Sequence, residues 1–333
     1  MISVVISTYN GSKYIEKQLE SVRAQSLRPD EVIIQDDCST DETIDIITRY
    51  INKYNLNSWY FFINEVNLGY KENFYRGVKR AKGDYIFLCD QDDEWMPDKI
   101  EKMIEVFKQH PEIWALNCGL CLIDGIDRPI KVKCEKNWSN CNFLYSERKL
   151  DEISFYSSDY ILRHNIGPGC ALAIDQRTAE GFIKTYNKSL PHDWHMNLIA
   201  AVNGGCAFIN KPFIKYRKHS NNVIGANTGI VAGIEKKTND VRIYDYESRI
   251  SSYIYICKAY KHKIGSKEKS TLSLLKAMVD FYKMPSVKKL YRARKKNGYK
   301  ELGKKKVQLW EMLVALHMDE LIRYILNIKD GRK

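Results

Sequence analysis

The sequence predicts an α/β fold, an open and mostly parallel sheet flanked by helices, extended at its C-terminal end by a basic helical region. Three observations carry that expectation. Apolar runs of strand length alternate with amphipathic helical segments through the first 125 residues, the rhythm of a parallel sheet with right-handed crossovers. The first run, Ile2-Ser3-Val4-Val5-Ile6-Ser7, reads as a strand covered on both faces. The basic charge is confined to the tail: residues 257–333 hold 21 Lys and Arg against 7 Asp and Glu, leaving 32 against 34 in residues 1–256.

Taken in order, Thr8-Tyr9-Asn10-Gly11 punctuates the first strand as a loop, and Ile15, Leu19 and Val22 mark one face of the next helix. A second strand, residues 31–35, ends in Asp36-Asp37-Cys38. Ser39-Thr40-Asp41-Glu42 then has the serine-x-x-glutamate form of a capping box before a helix carrying Ile44, Ile47 and Ile51. Residues 59–63 give a third strand, Asn67-Leu68-Gly69 a loop, and Phe74, Val78 and Ala81 the core face of a third helix that stops at Gly83. The fourth strand delivers an acidic junction, after which Pro97 opens a helix with Ile100, Ile104 and Phe107 that ends before Pro111. Residues 114–123 are another strand, and loops with short strands are expected over 125–165. Beyond lie a glycine-containing turn at 165–170, a helix-like run from Asp175 and a helix from Pro191 through Ala200. Two strand-like pieces, 206–209 and 213–216, lead into Arg217-Lys218-His219-Ser220-Asn221-Asn222.

The chemistry concentrates at Cys89-Asp90-Gln91-Asp92-Asp93-Glu94-Trp95. A strand-to-helix junction in an open α/β sheet lies at the carboxyl edge, where such folds bind ligands. Closely packed carboxylates repel one another unless a cation or bound water offsets the charge, and an Asp-x-Asp spacing suits Mg²⁺ or Mn²⁺. The plain alternative is a solvated acidic turn capping the next helix. The strand before it and the motifs upstream weigh against that. Asp36, Asp37 and Asp193 carry the same alternative, as caps of the helices beside them.

Composition bounds the rest. A chain of 333 residues is long enough for one large α/β domain plus an appendage, or for two ordinary domains; its 44% hydrophobic content is that of a globular protein, and its net charge is +12. Nine cysteines form no framework and the N-terminus enters a strand-like run without a signal-peptide pattern, so a reducing, cytosolic compartment is expected. No stretch approaches about 18 uninterrupted apolar residues, and no membrane span is expected. Cys118-Gly119-Leu120-Cys121 lies inside an apolar strand, and Cys134 and Cys141 supply no second Cys-x-x-Cys, which argues against a zinc ribbon.

Five motifs combine into a resemblance. Val5-Ile6-Ser7-Thr8-Tyr9-Asn10, Ile34-Gln35-Asp36-Asp37-Cys38-Ser39-Thr40-Asp41, Asn67-Leu68-Gly69, Cys89-Asp90-Gln91-Asp92-Asp93 and His192-Asp193-Trp194 resemble, in order and approximate spacing, the family 2 glycosyltransferases of the GT-A fold, over about residues 1–222. Cys38 stands where that family usually has glycine, which bears on the tightness of the turn. His192 stands where many members carry Glu, and the His-Asp-Trp form is most similar to the bacterial rhamnosyltransferase branch. The resemblance implies that Thr8 and Tyr9 line the base of a nucleotide-sugar donor, that Asp37 accepts from the base imide N–H, and that Asn73 is also on the donor side. It implies Asp90 at the ribose or a metal-bound water, Asp92 on Mg²⁺ or Mn²⁺, and His219 as a further metal ligand or diphosphate contact beside Arg217. An exposed histidine on a basic loop is the plain alternative for His219. The cation would neutralise the departing diphosphate. Asp193 is the candidate general base of an inverting transfer, with Trp194 and Gly169 on the acceptor side. Were the donor a 6-deoxy sugar, Trp194 and Trp95 are the available rings for its methyl.

Residues 1–225 are therefore expected as the catalytic domain, with a nucleotide-sugar half to about residue 125 and an acceptor half over 126–225. Residues 226–333 are expected as a basic, mostly helical region. Within it, residues 307–328 place Leu309, Leu313, Leu316, Leu321 and Ile325 as an amphipathic helix would. Basic helices with aromatic residues suit an anionic membrane face, and no nucleic-acid motif accompanies the charge. The expected partners are a nucleotide-diphosphate sugar, dTDP-rhamnose ahead of UDP-hexoses and UDP-N-acetylhexosamines, and a lipid-linked oligosaccharide of a capsule or cell-wall polysaccharide. The expected place is the inner face of the cell membrane, and the C-terminal helices leave an oligomer open. A sugar-nucleotide pyrophosphorylase would need a glycine-rich, basic loop where Thr8-Tyr9-Asn10 stands. A non-catalytic assembly subunit would not need Asp37, Asp92 and Asp193.

Overall fold

The computed structural model describes residues 1–219 and 238–319, which fall into two units: residues 1–161 with 165–219, and residues 162–164 with 238–319. The boundary expected at 225/226, the polar residues 220–222, and Leu321 and Ile325 lie outside the described residues.

The first unit follows the expected alternation: β1 (Ile2–Thr8), α1 (Ile15–Arg23), β2 (Glu31–Asp36), α2 (Thr43–Lys53), β3 (Trp59–Ile63), α3 (Tyr70–Arg80) and β4 (Tyr85–Asp90). A two-residue strand β5 (Glu94–Trp95) precedes α4 (Lys99–Gln109) and β6 (Ala115–Ile123). Short strands β7 (Pro129–Ile130), β8 (Trp138–Ser139), β9 (Leu144–Tyr145) and β10 (Ile153–Phe155) fill the irregular stretch. Next come α5 (Ser158–Arg163), whose last two residues fall in the second unit, β11 (Leu172–Asp175), α6 (Gln176–Thr185), α7 (His192–Val202) and β12 (Cys206–Arg217).

The main path of the sheet is β10-β12-β6-β11-β4-β1-β2-β3. β1 pairs in parallel with β2 and β4, as β2 does with β3 and β6 with β12, whereas β11 lies antiparallel to both β4 and β6. The expected parallel sheet is thus interrupted inside by one reversed strand, β11, and edged by a second, β10, antiparallel to β12. Residues Leu172, Ala173 and Ile174 of β11 are fully buried, so it serves the core as well as a parallel strand would. The pairings Thr8 with Asp36 and Ser7 with Asp90 bring three strand ends to one level.

Buried Ile15, Leu19 and Val22 fix α1 to the sheet as their spacing foretold. α3 lies closest: a Cβ on Gly77 would stand 2.4 Å from Val5 Cγ1, which only glycine permits at that separation. Two local expectations change. α2 begins at Thr43, with Glu42 in the cap position making no side-chain cap bond, so the capping box does not form. Asp41 Oδ1 accepts from Thr43 N at 3.0 Å instead, and Ser39 Oγ is turned to Asp36 at 2.7 Å. The two strand-like pieces 206–209 and 213–216 are one strand, β12, whose register shifts around Pro212. A proline cannot donate to the ladder, and the bulge absorbs the loss.

The second unit holds α8 (Asn239–Ala259), α9 (Ser266–Lys283), α10 (Val287–Arg294) and α11 (Lys305–Ala315), as its helical composition foretold. Tyr253, Ile256, Leu274, Leu275, Met278 and Phe281 are buried in it, with Leu290 and Trp310. α11 buries a different face from the one expected: Trp310, Glu311, Val314 and Ala315 are inside, while Leu309 is 60% exposed and Leu316 53%. An indole removes more apolar area from water than a leucine, and Glu311 can follow it inward because Tyr282 and Tyr299 hydroxyls donate to its carboxylate. Among the described residues no helix is long and apolar enough to cross a membrane.

Cys38, just past β2, has φ +65°, the left-handed conformation that favours the glycine usual at this place in the family. That conformation costs an L-residue about 1–2 kcal/mol, whereas glycine loses about 0.5–1 kcal/mol in chain entropy, so the strain outweighs the flexibility. Cys38→Gly is expected to stabilise the protein by about 0.5–1 kcal/mol in urea unfolding. A destabilised variant would mean that the Cys38 thiol, 3.7 Å from Glu65 O, matters more than the backbone.

Candidate active site

The paired acids after β2 have separate tasks. Asp36 Oδ2 accepts from Thr8 Oγ1 (2.6 Å) and Ser39 Oγ (2.7 Å), and Oδ1 from Ser39 N (2.7 Å), which ties the end of β1 to the turn. Asp37 Oδ1 accepts from Asn64 Nδ2 and Leu68 N, both at 2.8 Å, and Oδ2 from Gly69 N at 2.7 Å. Asp37 therefore does not cap α2; it fixes the loop before α3. A carboxylate has about four acceptor positions, so one on Asp37 is left for a ligand N–H. Thr8 is buried with its hydroxyl committed to Asp36, whereas Tyr9 is 44% exposed. Its main chain is held by the Gln91 side chain, which accepts from Tyr9 N (2.7 Å) and donates to Tyr9 O (2.9 Å). Asn73 is fully buried; its Nδ2 donates to Ser7 Oγ and Gln35 O, and its Oδ1 accepts from Asn64. Expected on the donor side, Asn73 instead positions the strand ends behind it.

The acidic junction divides into two clusters. Asp92 Oδ2 stands 2.8 Å from His219 Nε2, so these two expected metal ligands do meet, with the His219 ring centroid 5.1 Å from that of Tyr14. Ligand atoms of Asp90, Asp93 and Cys170 lie within 4.8 Å of one another. Burial first, then the charges of Asp92 and Asp193, raises the Asp90 carboxyl; burial, then Asp92 and Asp90, holds Asp93 well above the usual range. Burial, then the charges of Asp93 and Asp90, pushes the Cys170 thiol well up, so it stays protonated. Asp93 accepts from Arg217 N at 2.9 Å through Oδ1, while its buried Oδ2 makes no hydrogen bond of ordinary geometry and the carboxyl has the Cys170 thiol beside it as a weak donor. Acids whose charges repel one another in so small a space fit a hard divalent cation; the converging ligand atoms are those of Asp90, Asp93 and Cys170, and the paired Asp92 and His219 form the second cluster beside them.

Two cations brace this junction, and the sequence marked neither role. Arg217 is fully buried, donating Nε to Asp92 O (2.7 Å), pairing with Asp127 and lying 4.7 Å over the Tyr14 ring. It is a scaffold rather than a surface for diphosphate. Lys99, also fully buried, donates to Cys170 O at 2.8 Å and sits 3.5 Å from the Trp95 ring centroid; burial lowers its pKa. Trp95 is thereby locked in the core at 2% exposure, so of the two rings available for a 6-deoxy methyl it is the one withdrawn from solvent.

Asp193 lies in the first turn of α7, whose cap residue is Pro191, so it is not the N-cap. Burial lifts its carboxyl to about 6, against the pull of the Trp194 N–H and of Asn165, whose Nδ2 donates to Oδ2 at 2.7 Å. Asn165 is held in turn by Asn197 (3.0 Å), which exchanges amide hydrogen bonds with Asn117 on β6. This chain of three amides went unnoticed in the sequence; Asn165 at the head of the glycine turn was its only mark. His192 stacks on Phe74 at 4.0 Å and is kept neutral by burial. A Cβ on Gly169 would stand 2.4 Å from its Nε2, so glycine there makes room for the ring. Trp194 is half-buried and donates Nε1 to Ile161 O at 2.6 Å.

The chain is similar to known glycosyl transferases. The family model described as glycosyl transferase family 2 matches residues 3–164. The dTDP-rhamnosyl transferase RfbG of Shigella flexneri is 31% identical over 244 residues, 68% of this chain and 76% of that protein. An uncharacterised Mycobacterium bovis protein is 28% identical over 67% of this chain, which spans 60% of the length of that relative. Among solved structures, S. aureus TarS 1–349 in complex with UDP-GlcNAc superposes with a TM-score of 0.59 at 15% identity, over 99% of this chain and 92% of that one. The mannosyltransferase PcManGT of Pyrobaculum calidifontis, in complex with GDP-Man and Mn²⁺, gives 0.52 at 14%, over 95% and 86%.

A folded-state pKa raised from 3.8 to about 6 means that ionised Asp193 destabilises the fold: its own contribution to stability is fully present below pH 3.8 and is lost as the pH rises through 6. Asp193→Asn is therefore expected to raise stability at pH 7.5 by about 2–3 kcal/mol, a gain that vanishes near pH 4. Calorimetry at the two pH values checks it; a variant less stable than wild type at pH 7.5 would make the carboxylate a structural helix-end group.

Proposed function

The chain belongs to glycosyl transferase family 2 and has the GT-A fold, and on that footing we propose that it moves a sugar, L-rhamnose in first place, from a nucleoside-diphosphate donor to a lipid-linked oligosaccharide with inversion at the anomeric carbon. One observation carries the reading: the Asp193 carboxyl, lifted to about 6, lies within electrostatic reach of Asp90 at the strand edge where Asp37 also sits. A proton acceptor and a diphosphate site thus adjoin.

In this reading Tyr9 and the open acceptor position of Asp37 hold the base. The acceptor hydroxyl forms its bond to the anomeric carbon as the bond to the diphosphate oxygen breaks, and its proton passes to Asp193. General-base assistance of this kind is worth about 10²–10⁴ in rate. Bound Mg²⁺ or Mn²⁺ supplies charge neutralisation for the leaving diphosphate. Asn165 keeps the Asp193 carboxylate aimed, and Trp194 stands beside it on the acceptor side. The named activity of RfbG favours a dTDP-rhamnose donor. UDP-hexoses and UDP-N-acetylhexosamines are the second donor class, because an imide N–H is common to uracil and thymine. The basic second unit supports work at the inner membrane face, on a capsule or wall polysaccharide.

Asp92→Asn is expected to leave the fold intact and to reduce the Mn²⁺-dependent thermal stabilisation by dTDP or UDP severalfold. Equal stabilisation of variant and wild type would remove Asp92 from the cation site. In competition among dTDP-rhamnose, UDP-glucose, UDP-galactose and UDP-N-acetylhexosamines, dTDP-rhamnose is expected to be consumed first, by about tenfold or more. Preference for a UDP donor would transfer the protein to the second class with the roles of Asp37, Asp92 and Asp193 unchanged. Transfer should rise with pH through about 6, and Asp193→Asn should abolish that limb together with the transfer.

A further inference from the structure

We propose that the outward face of α10 is a docking site for the phosphate headgroups of an anionic lipid surface. It rests on the membrane-surface part of the preceding reading and not on the transfer chemistry. Lys288, Tyr291, Arg292, Lys295 and Lys296 line an open cleft of about 650 Å³ with Ala277 of α9. Lys288, Arg292 and Lys295 follow the spacing i, i+4, i+7 and so share one side of the helix, opposite the buried Leu290 and Ala293.

No carboxylate among the described residues pairs with any of the four cations. Lys296 Nζ donates to Ser273 Oγ at 2.8 Å and Lys295 Nζ lies 4.6 Å from the Tyr291 ring centroid, both neutral partners. Elsewhere in the same unit Lys283 and Arg249 do pair with acids, so the lack is local to this face. Four uncompensated positive charges around one cleft repel one another, and an oxyanion with several acceptor oxygens relieves that repulsion.

The apolar residues beside the cleft decide which source of phosphate it suits. Met284 is 69% exposed, Val287 58% and Tyr291 58%, and Val287 and Tyr291 stand one turn apart along the edge of the basic face. A soluble phosphate has no use for such an edge. At a bilayer surface the two edges match two layers, side-chain cations at the phosphates and Val287, Tyr291 and Met284 toward the acyl boundary. The lysine and arginine stems, long enough to lie along the interface, let the charges stay in water while the apolar edge enters.

The test uses the full chain, because a cut at residue 257 would sever α8 (Asn239–Ala259) through its buried residues Ile256 and Cys257. Flotation is measured with phosphatidylcholine vesicles containing about 30 mol% phosphatidylglycerol, against phosphatidylcholine alone. Lys288→Ala/Arg292→Ala/Lys295→Ala should bind the anionic vesicles on the order of 100-fold more weakly, about fivefold per charge, while hydrolysis of the nucleotide sugar is unchanged. The charge-keeping Lys288→Arg/Arg292→Lys/Lys295→Arg should bind as wild type does, which controls for folding. Val287→Ser/Tyr291→Ser should lose severalfold at constant charge. Wild-type vesicle binding by the alanine variant overturns the site. So does unchanged binding by the serine variant together with displacement of the vesicles by millimolar phosphate or pyrophosphate, which would make it a soluble-phosphate site. Tighter retention on a single-stranded oligonucleotide than on vesicles would assign the face to nucleic acid. A protein that floats but hydrolyses no nucleotide sugar would sink the transfer reading alone.

Discussion

The structure turns on how four carboxylates are kept together at one sheet edge. Asp90, Asp92, Asp93 and Asp193 sit close enough for each other's charge to raise the carboxyls of Asp90 and Asp93, and burial of Asp90, Asp93 and Asp193 removes the water that would screen them. Left alone, such a cluster would drive the junction apart. The surrounding residues make sense as its restraint: Arg217 grips the main chain of Asp92 and Asp93, Lys99 stands fully buried beside Cys170, and Gln91 fastens the Tyr9 loop across the top. Two internal cations do not neutralise four acids. The deficit is what makes the edge receptive to a divalent ion, and a diphosphate would be repelled there without one.

Asp193 shows the same tension at the scale of one residue. The first turn of α7 favours a carboxylate electrostatically, by about 0.3–1 kcal/mol. Burial, lifting the carboxyl from 3.8 to about 6, costs more than that. A helix cap would be selected for stability, and this carboxylate opposes it. The amide chain Asn117–Asn197–Asn165 resolves the conflict in favour of position, since each amide is oriented by the one before and the last donates to Asp193.

The alternation of elements was legible because it is a local property: strand-length apolar runs and 3.6-residue spacing decide β1 to β4 and α1 to α4 with little help from the rest of the chain. What eluded the sequence was tertiary. The reversed β11 reads like any buried strand, and its direction depends on where the chain re-enters the sheet. In α11 two faces compete, and the leucine spacing could not foretell that Trp310 and a doubly hydrogen-bonded Glu311 take the inside. The acids of the site were visible because their types and spacing carry the chemistry. Their supports Lys99, Arg217, Asn64 and Asn165 were not, since a buried cation or amide has the same letters as an exposed one.

Choice of donor is the property least fixed by this architecture, and the reason is physical. In the proposed role Asp37 would read an imide that uracil and thymine share, so the base alone would not separate the two donor classes. The sugar must then be sorted by shape. Trp95 is sealed against Lys99 and Phe87, and the Trp194 indole N–H is bound to Ile161 O, which leaves at most one face of that ring for a 6-deoxy methyl. One hydroxyl more or less against an apolar wall shifts the balance by only about 1–3 kcal/mol, roughly 10–200-fold. On the proposed reading the same three acids would serve a rhamnose or a hexose donor with small changes in the residues around Trp194, so that specificity would be a matter of packing and transfer a matter of charge.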